Sequence, residues 1–196
     1  KQSVLRIGYP ALSAADQDFY PAEIMNYRLG GGGFASELTQ QLRESKGYTY
    51  GIRSSFTRSE FRGPFTISTG VRSNVTLESV RLIRDILKYY SKNYSEEDLE
   101  ITKSSLIKSN ARAFETPNSK LRMLMNISVF GYDKNYVKDR EQTVSEITVD
   151  QVKELAIKHV DPGRMIYLVV GDKNSQMDKL SRLGFGNPIL LNNLSN

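Results

Sequence analysis

The sequence predicts an α+β fold, a mostly antiparallel sheet with helices packed on one face. Three patterns carry that expectation. Alternating apolar and polar residues mark a strand near the start and a strand pair over residues 50–71. Apolar residues recur at spacings of three and four between residues 77 and 159, and a short apolar run follows at 165–170. The order strand, helices, strand pair, helices, strand belongs to helices segregated on one side of an antiparallel sheet.

Leu5, Ile7 and Tyr9 alternate with Arg6 and Gly8, a half-buried strand that Pro10 is expected to end. Asp18 or a neighbouring residue starts a helix, with Pro21 tolerated in its first turn. That helix runs to about Leu29 and breaks on Gly30-Gly31-Gly32-Gly33. A second helix places Phe34, Leu38 and Leu42 on one face, and Gly47 is its expected left-handed terminator. Tyr50, Ile52, Ser54 and Phe56 then share a strand face, as do Phe65, Ile67, Thr69 and Val71, with Arg62-Gly63-Pro64 connecting the pair.

Leu77, Val80, Ile83, Leu87 and Tyr90 follow helical spacing. Ser95 with Asp98 resembles a capping box, Thr116-Pro117 an N-cap with proline at the first helical position, and Gly131 a stop. Thr148 with Gln151 opens another helix bearing Val152, Leu155, Ala156 and His159, closed by Pro162-Gly163. Met165 to Val170 is expected to be a buried strand.

The 196 residues are expected to form a single domain, and a chain of this length can bury a core without staples. No repeat or linker divides it. With no cysteine, disulfides and thiolate chemistry are excluded, and cytosol and periplasm are not distinguished. No apolar run approaches the roughly 18 residues of a membrane span. The missing initiator Met at Lys1 fits a segment of a longer protein. The net charge of +5 arises in residues 43–84, where 8 basic groups meet 3 acidic ones. No zinc finger, RNA-recognition signature or lysine cluster accompanies that excess, so a solvated surface is favoured over a nucleic-acid partner.

Several chemistries fail on the residues themselves. Gly30, Gly32 and Ala35 match a dinucleotide fingerprint in spacing, but a helix precedes them and no acidic residue stands about 20 positions on. No Gly-Lys-Ser/Thr phosphate loop occurs. One histidine and no cysteine cannot build a zinc site, so no metal site is expected in this chain. His159 lies on an apolar helical stripe and reads as a packed or helix-end histidine. No Gly-x-Ser-x-Gly elbow is present.

The distinctive segment is Leu29 to Tyr50: four glycines, Phe34, Ala35, Ser36, then Leu42-Arg43-Glu44, Gly47 and an aromatic strand start. It resembles the second, zinc-less domain of pitrilysin/insulinase-type metallopeptidases, the half-domain found also in mitochondrial processing peptidase. The flanks agree, from Asn26-Tyr27-Arg28-Leu29 to the terminal helix and strand at 149–171. The resemblance implies the substrate-binding half of a zinc-dependent endopeptidase. Zinc and the general base are expected on a homologous partner domain, in the same chain or another subunit, and this segment alone is expected to be inactive. It further implies that Arg43 and Tyr50, with six residues between them as in the family pattern, face the carbonyl of a peptide substrate. Taken alone, Arg43 reads as an exposed cation at a helix end. Tyr50, sharing a face with Ile52 and Phe56, reads as a core aromatic. A non-catalytic scaffold of the same fold, as in the core subunits of the respiratory bc1 complex, is the alternative. Within the enzyme reading, the basic segment is expected to favour acidic or carboxylate-ended peptides.

Overall fold

The computed structural model describes residues 1–112 and 115–191. Four strands form one antiparallel sheet: β1 (Gln2–Leu12), β2 (Thr49–Phe56), β3 (Gly63–Arg72) and β4 (Ile166–Val170). Their order is β2-β3-β1-β4, so the longest strands lie at the centre. Helices α1 (Phe19–Asn26), α3 (Thr76–Asn93) and α7 (Val149–His159) pack together over one face. Helices α4 (Glu96–Arg112) and α6 (Tyr136–Glu146) extend that layer, α5 (Pro117–Phe130) connects them in the chain, and α8 (Lys173–Leu180) follows β4. The predicted α+β class is the observed one.

Period-two patterning buries Leu5 and Ile7 of β1, Ile52 and Phe56 of β2, and Phe65, Ile67 and Val71 of β3. Phe19, Met25, Val80, Ile83, Val152 and Ala156 close over them from the helices. Phe56 and Phe65 pack with ring centroids 4.8 Å apart. Tyr90 is buried as well, and its hydroxyl donates to the Met25 carbonyl at 2.7 Å, satisfying the polar end of an otherwise apolar insertion.

The cap signals act where the sequence places them. The Thr148 hydroxyl accepts from the Gln151 N–H, and the Gln151 side chain accepts from the Thr148 N–H. Ser95 and Asp98 reciprocate in the same way. Thr116 caps α5, which ends on left-handed Gly131.

Two strand expectations change. Pro10 does not end β1: it pairs with Pro64, and the strand continues through a register shift to Leu12. Proline forfeits one donor, and an exposed position beside a register shift tolerates that loss. Met165 to Val170 does not form a strand buried on both faces. β4 is an edge strand, and Ile166, Leu168 and Val170 point away from the helices. An uninterrupted apolar run looks the same whether one face is covered or both.

Candidate substrate-contact site

The glycine segment is shaped by helical turns wider and tighter than an α-helix. After α1 the chain continues as a π turn over Tyr27–Gly31, then a 3-10 turn over Gly33–Ala35. Gly30 brings this turn against β2. A Cβ built there would stand 2.3 Å from the Ser54 hydroxyl and 2.8 Å from its amide nitrogen, so only glycine permits the approach. Asn26 seals the same contact, donating to the Ser54 carbonyl at 2.9 Å and accepting from the Ser54 hydroxyl.

Arg28 anchors the turn from its outer side. Its guanidinium donates to Asp98 at 2.6 and 2.9 Å and to the Ala35 carbonyl. Nearby Glu37 has its pKa raised by burial and by the Asp98 charge, against an opposing effect from Arg28. The next helix, α2 (Glu37–Thr39), runs into a second π turn, Gln40–Ser45. Leu38 and Leu42 are fully buried, whereas Phe34 is 61% exposed and does not share their face. Phe34 precedes the Ser36 cap, so helical spacing does not apply to it.

Arg43 occupies the last turn of this helix. Its guanidinium lies 4.6 Å over the Phe34 ring, and its Nε is 3.3 Å from Glu44. Gly47, at φ 59°, then reverses the chain. The Gly47 N–H donates to the Arg43 carbonyl and the Tyr48 N–H to the Leu42 carbonyl. Each bond reaches one residue further back than in an α-helical Schellman end, as the π widening requires. Arg72 of β3 also donates to the Gly47 carbonyl at 3.2 Å.

Strand β2 begins with a bulge. Thr49 pairs with Val71 and Ile52 with Thr69, so two residues, Tyr50 and Gly51, stand opposite Gly70. The Thr49 hydroxyl accepts from the Gly51 N–H at 3.0 Å and from the Thr69 hydroxyl at 2.8 Å, holding the bulge. An extra residue reverses side-chain parity beyond it. Ile52, Ser54 and Phe56 therefore point into the core, while Tyr50 is 91% exposed. The expectation that Tyr50 shares their face is wrong for this reason.

Arg43 and Tyr50 thus flank one turn, both accessible to solvent. Among the described residues no hydrogen bond or ring contact joins them; Arg43 rests on Phe34 instead. Phe34 is the site residue that sequence reasoning misplaced, and its position between the glycines and the Ser36 cap was the available signal.

The single histidine is engaged elsewhere. His159 is buried, and its Nε2 lies 2.8 Å from Asp18, which also accepts from Lys158 at 2.6 Å. Among the described residues no three His, Cys, Asp or Glu side chains converge to hold a metal ion. The donor set of this chain does not fit a zinc site.

Residues 1–106 match the family model described as the peptidase M16 inactive domain. The chain belongs to the peptidase M16 inactive-domain family. A Helicobacter pylori protein described as the non-peptidase homolog YmxG is 23% identical over 178 residues, covering 88% of this chain and 40% of the relative. A Bacillus subtilis protein described as an uncharacterized zinc protease is 28% identical over 122 residues, covering 62% of this chain and 30% of the relative. A crystal structure of a peptidase M16 inactive domain from Pseudomonas fluorescens superposes with a TM-score of 0.82 at 28% identity, covering 88% of this chain and 41% of that one. The chain therefore spans about two fifths or less of the length of these relatives. Among the described residues no helix is long and apolar enough to cross a membrane.

Proposed function

We propose that this M16 inactive domain is the substrate-holding half of a zinc-dependent endopeptidase. One observation carries the reading: a bulge turns the Tyr50 ring out of the sheet core to 91% exposure, one turn after Arg43. An aromatic of that size left in water forgoes the burial its neighbours on β2 obtain. A bulge that re-aims a side chain next to a functional turn is a recurrent device of active sites.

Zinc on a homologous half, in the same polypeptide or a partner subunit, would lower the pKa of a bound water and so supply the nucleophile. The residues of this chain have a complementary task. Peptide hydrolysis places negative charge on the former carbonyl oxygen, and a guanidinium and a phenol are preorganised donors for it. The contact with the Phe34 ring restricts the Arg43 guanidinium before substrate arrives.

In the full-length protein, Arg43→Ala is expected to lower kcat by about 10²–10³ with little change in KM, because the oxyanion exists only beyond the ground state. Tyr50→Phe, which keeps the ring and removes the donor, is expected to act in the same direction. Steady-state kinetics on an unstructured peptide measure both. An unchanged kcat in folded variants would remove both residues from the reaction.

A second reading has its own support: the Helicobacter pylori relative, which covers 88% of this chain, is described as a non-peptidase homolog. On that reading the domain is a chamber-forming or scaffold element. Peptidase activity of the full-length protein that a chelator abolishes and added zinc restores would separate the two.

A further inference from the structure

The two faces of the sheet differ in chemistry. Beneath the helices the face is apolar, and the opposite face is open and carries Tyr50. Register aligns the open face into rows that cross all four strands. In one row Arg53 stands opposite Ser68, Ser68 opposite Arg6, and Arg6 opposite Leu168. Arg6 and Arg53 are exposed, and the Arg6 guanidinium donates to the Ser68 hydroxyl.

The adjacent row holds Tyr50 at one edge, then Gly70, Val4 and Val170. No heavy atom lies within 4 Å of where a Cβ on Gly70 would be, so the backbone is bare between the Tyr50 ring and the two valines. Val4, Leu168 and Val170 are 41%, 39% and 58% exposed, an apolar patch at the β1–β4 end of the two rows.

The open face is basic and has no carboxylate of its own. Arg28, Arg43, Arg58 and Arg84, on or beside the helices, each have a carboxylate within ion-pair distance. Arg6 and Arg53 have none among the described residues. The four strands contain no acidic residue at all. The basic excess of residues 43–84 is therefore not one patch. Arg58 neutralises Glu23, Arg81 and Arg84 donate to the carbonyls of Arg182 and Leu183, and Arg53 stands uncompensated on the open face.

We propose that the open face of the sheet selects acidic peptides. An extended segment lies with carboxylates on the row of Arg53, Ser68 and Arg6 and an apolar side chain on Val4, Leu168 and Val170. The inference rests on the reading of Tyr50 as a substrate contact, since Tyr50 bounds the same face. The spacing is suitable. Strands lie roughly 4.8 Å apart, so Arg53 and Arg6 are about 10 Å apart at the backbone, and carboxylates two residues apart on an extended peptide project the same way about 7 Å apart. Flexible arginine side chains bridge the difference, and each guanidinium can take a carboxylate in two parallel hydrogen bonds.

The test is equilibrium binding to the full-length protein in chelator, where no turnover is needed. The probe is a fluorescein-labelled decapeptide alternating Glu and Ser and ending in Leu; its control has Lys for every Glu. The Glu peptide is expected to bind about tenfold tighter at low salt, the advantage shrinking as salt rises, because two exposed ion pairs contribute modestly and are screened. Arg6→Gln with Arg53→Gln is expected to abolish the preference, and Arg6→Lys with Arg53→Lys to retain most of it. Equal binding of the two peptides would mean that the remainder of the polypeptide covers this face, and overturns the proposal. A preference that survives the glutamine pair overturns it too. The Arg43 and Tyr50 reading is judged on kcat and this one on the charge preference, so the failure of either is read on its own measurement.

Discussion

Gly30 shows how one missing side chain positions the candidate site. Its Cα faces the Ser54 backbone so closely that an added methyl would meet the Ser54 hydroxyl at 2.3 Å and the Leu38 side chain at 2.9 Å. Gly30→Ala is therefore expected to destabilise the fold by about 2 kcal/mol, the scale of overpacking a tight contact, and to lower Tm by about 6 °C. Gly51→Ala is the control: nothing lies within 4 Å of its Cβ position, and its stability should stay within about 0.5 kcal/mol of the parent. Equal Tm shifts in the two variants would refute the steric account. At this scale the sequence was partly legible. Within the run from Leu29 to Tyr50, the break at the glycines and the helix end at Gly47 were legible, because glycine clusters and a helix-end glycine have local physical signatures. The outward turn of Tyr50 was not legible, since it depends on one extra residue opposite Gly70 that only the register with β3 reveals. Assuming strict alternation from Tyr50 to Phe56 sent the ring to the wrong face.

Among the elements, α1 and α7 are joined by a charged clasp. Asp18, the residue before α1, accepts from Lys158 at 2.6 Å and lies 2.8 Å from the His159 ring, both in the last turn of α7. The Lys158 hydrogen bond, with that from His159, holds the Asp18 carboxyl below its ordinary range, outweighing the opposing effect of burial. A carboxyl whose folded pKa is depressed contributes stability that is fully present above its unfolded pKa and is lost as pH falls through the folded one. Asp18→Asn should cost about 1 kcal/mol near neutrality, a Tm lower by about 3 °C, and the difference from the parent should vanish once pH drops below the carboxylate range. Thermal melts of both proteins across that range test it; a Tm gap that persists in strong acid would exclude the ion pair as its source. Elements with caps were readable from sequence, as Thr148 with Gln151 and Ser95 with Asp98 demonstrate. Helices α6 and α8 were not, because each buries one described residue and carries no side-chain cap bond, leaving neither an apolar stripe nor a start signal. The edge position of β4 was hidden for a different reason: Ile166, Leu168 and Val170 are apolar on the uncovered face as well.

Across the whole molecule, burial is uneven in a way that fixes the order of local stability. β1 and β3 pair along nearly their full lengths at the centre of the sheet, and α3 buries eight residues against it and its neighbours. Helix α5 buries none, and Leu121, Leu124, Met125 and Val129 on it are each more than half exposed. A helix without a buried face relies on propensity and its Thr116 cap, and a helix of 14 residues is marginal on those alone. The α+β class was legible because it depends on the periodicity of the buried elements. The thin attachment of α5 was not, since its apolar content matches that of a packed helix. Native-state hydrogen exchange on the 196-residue chain should therefore separate two populations. Amides of Ile67, Ile7 and Ile83 should exchange only through global unfolding, with free energies of the order of 5–15 kcal/mol that fall steeply with denaturant. Amides of α5 should exchange through local openings of far lower free energy that hardly depend on denaturant, because opening exposes little new surface. If α5 amides prove as protected and as denaturant-sensitive as Ile67, the helix belongs to the cooperative core, and its exposed stripe does not mark a separately opening unit.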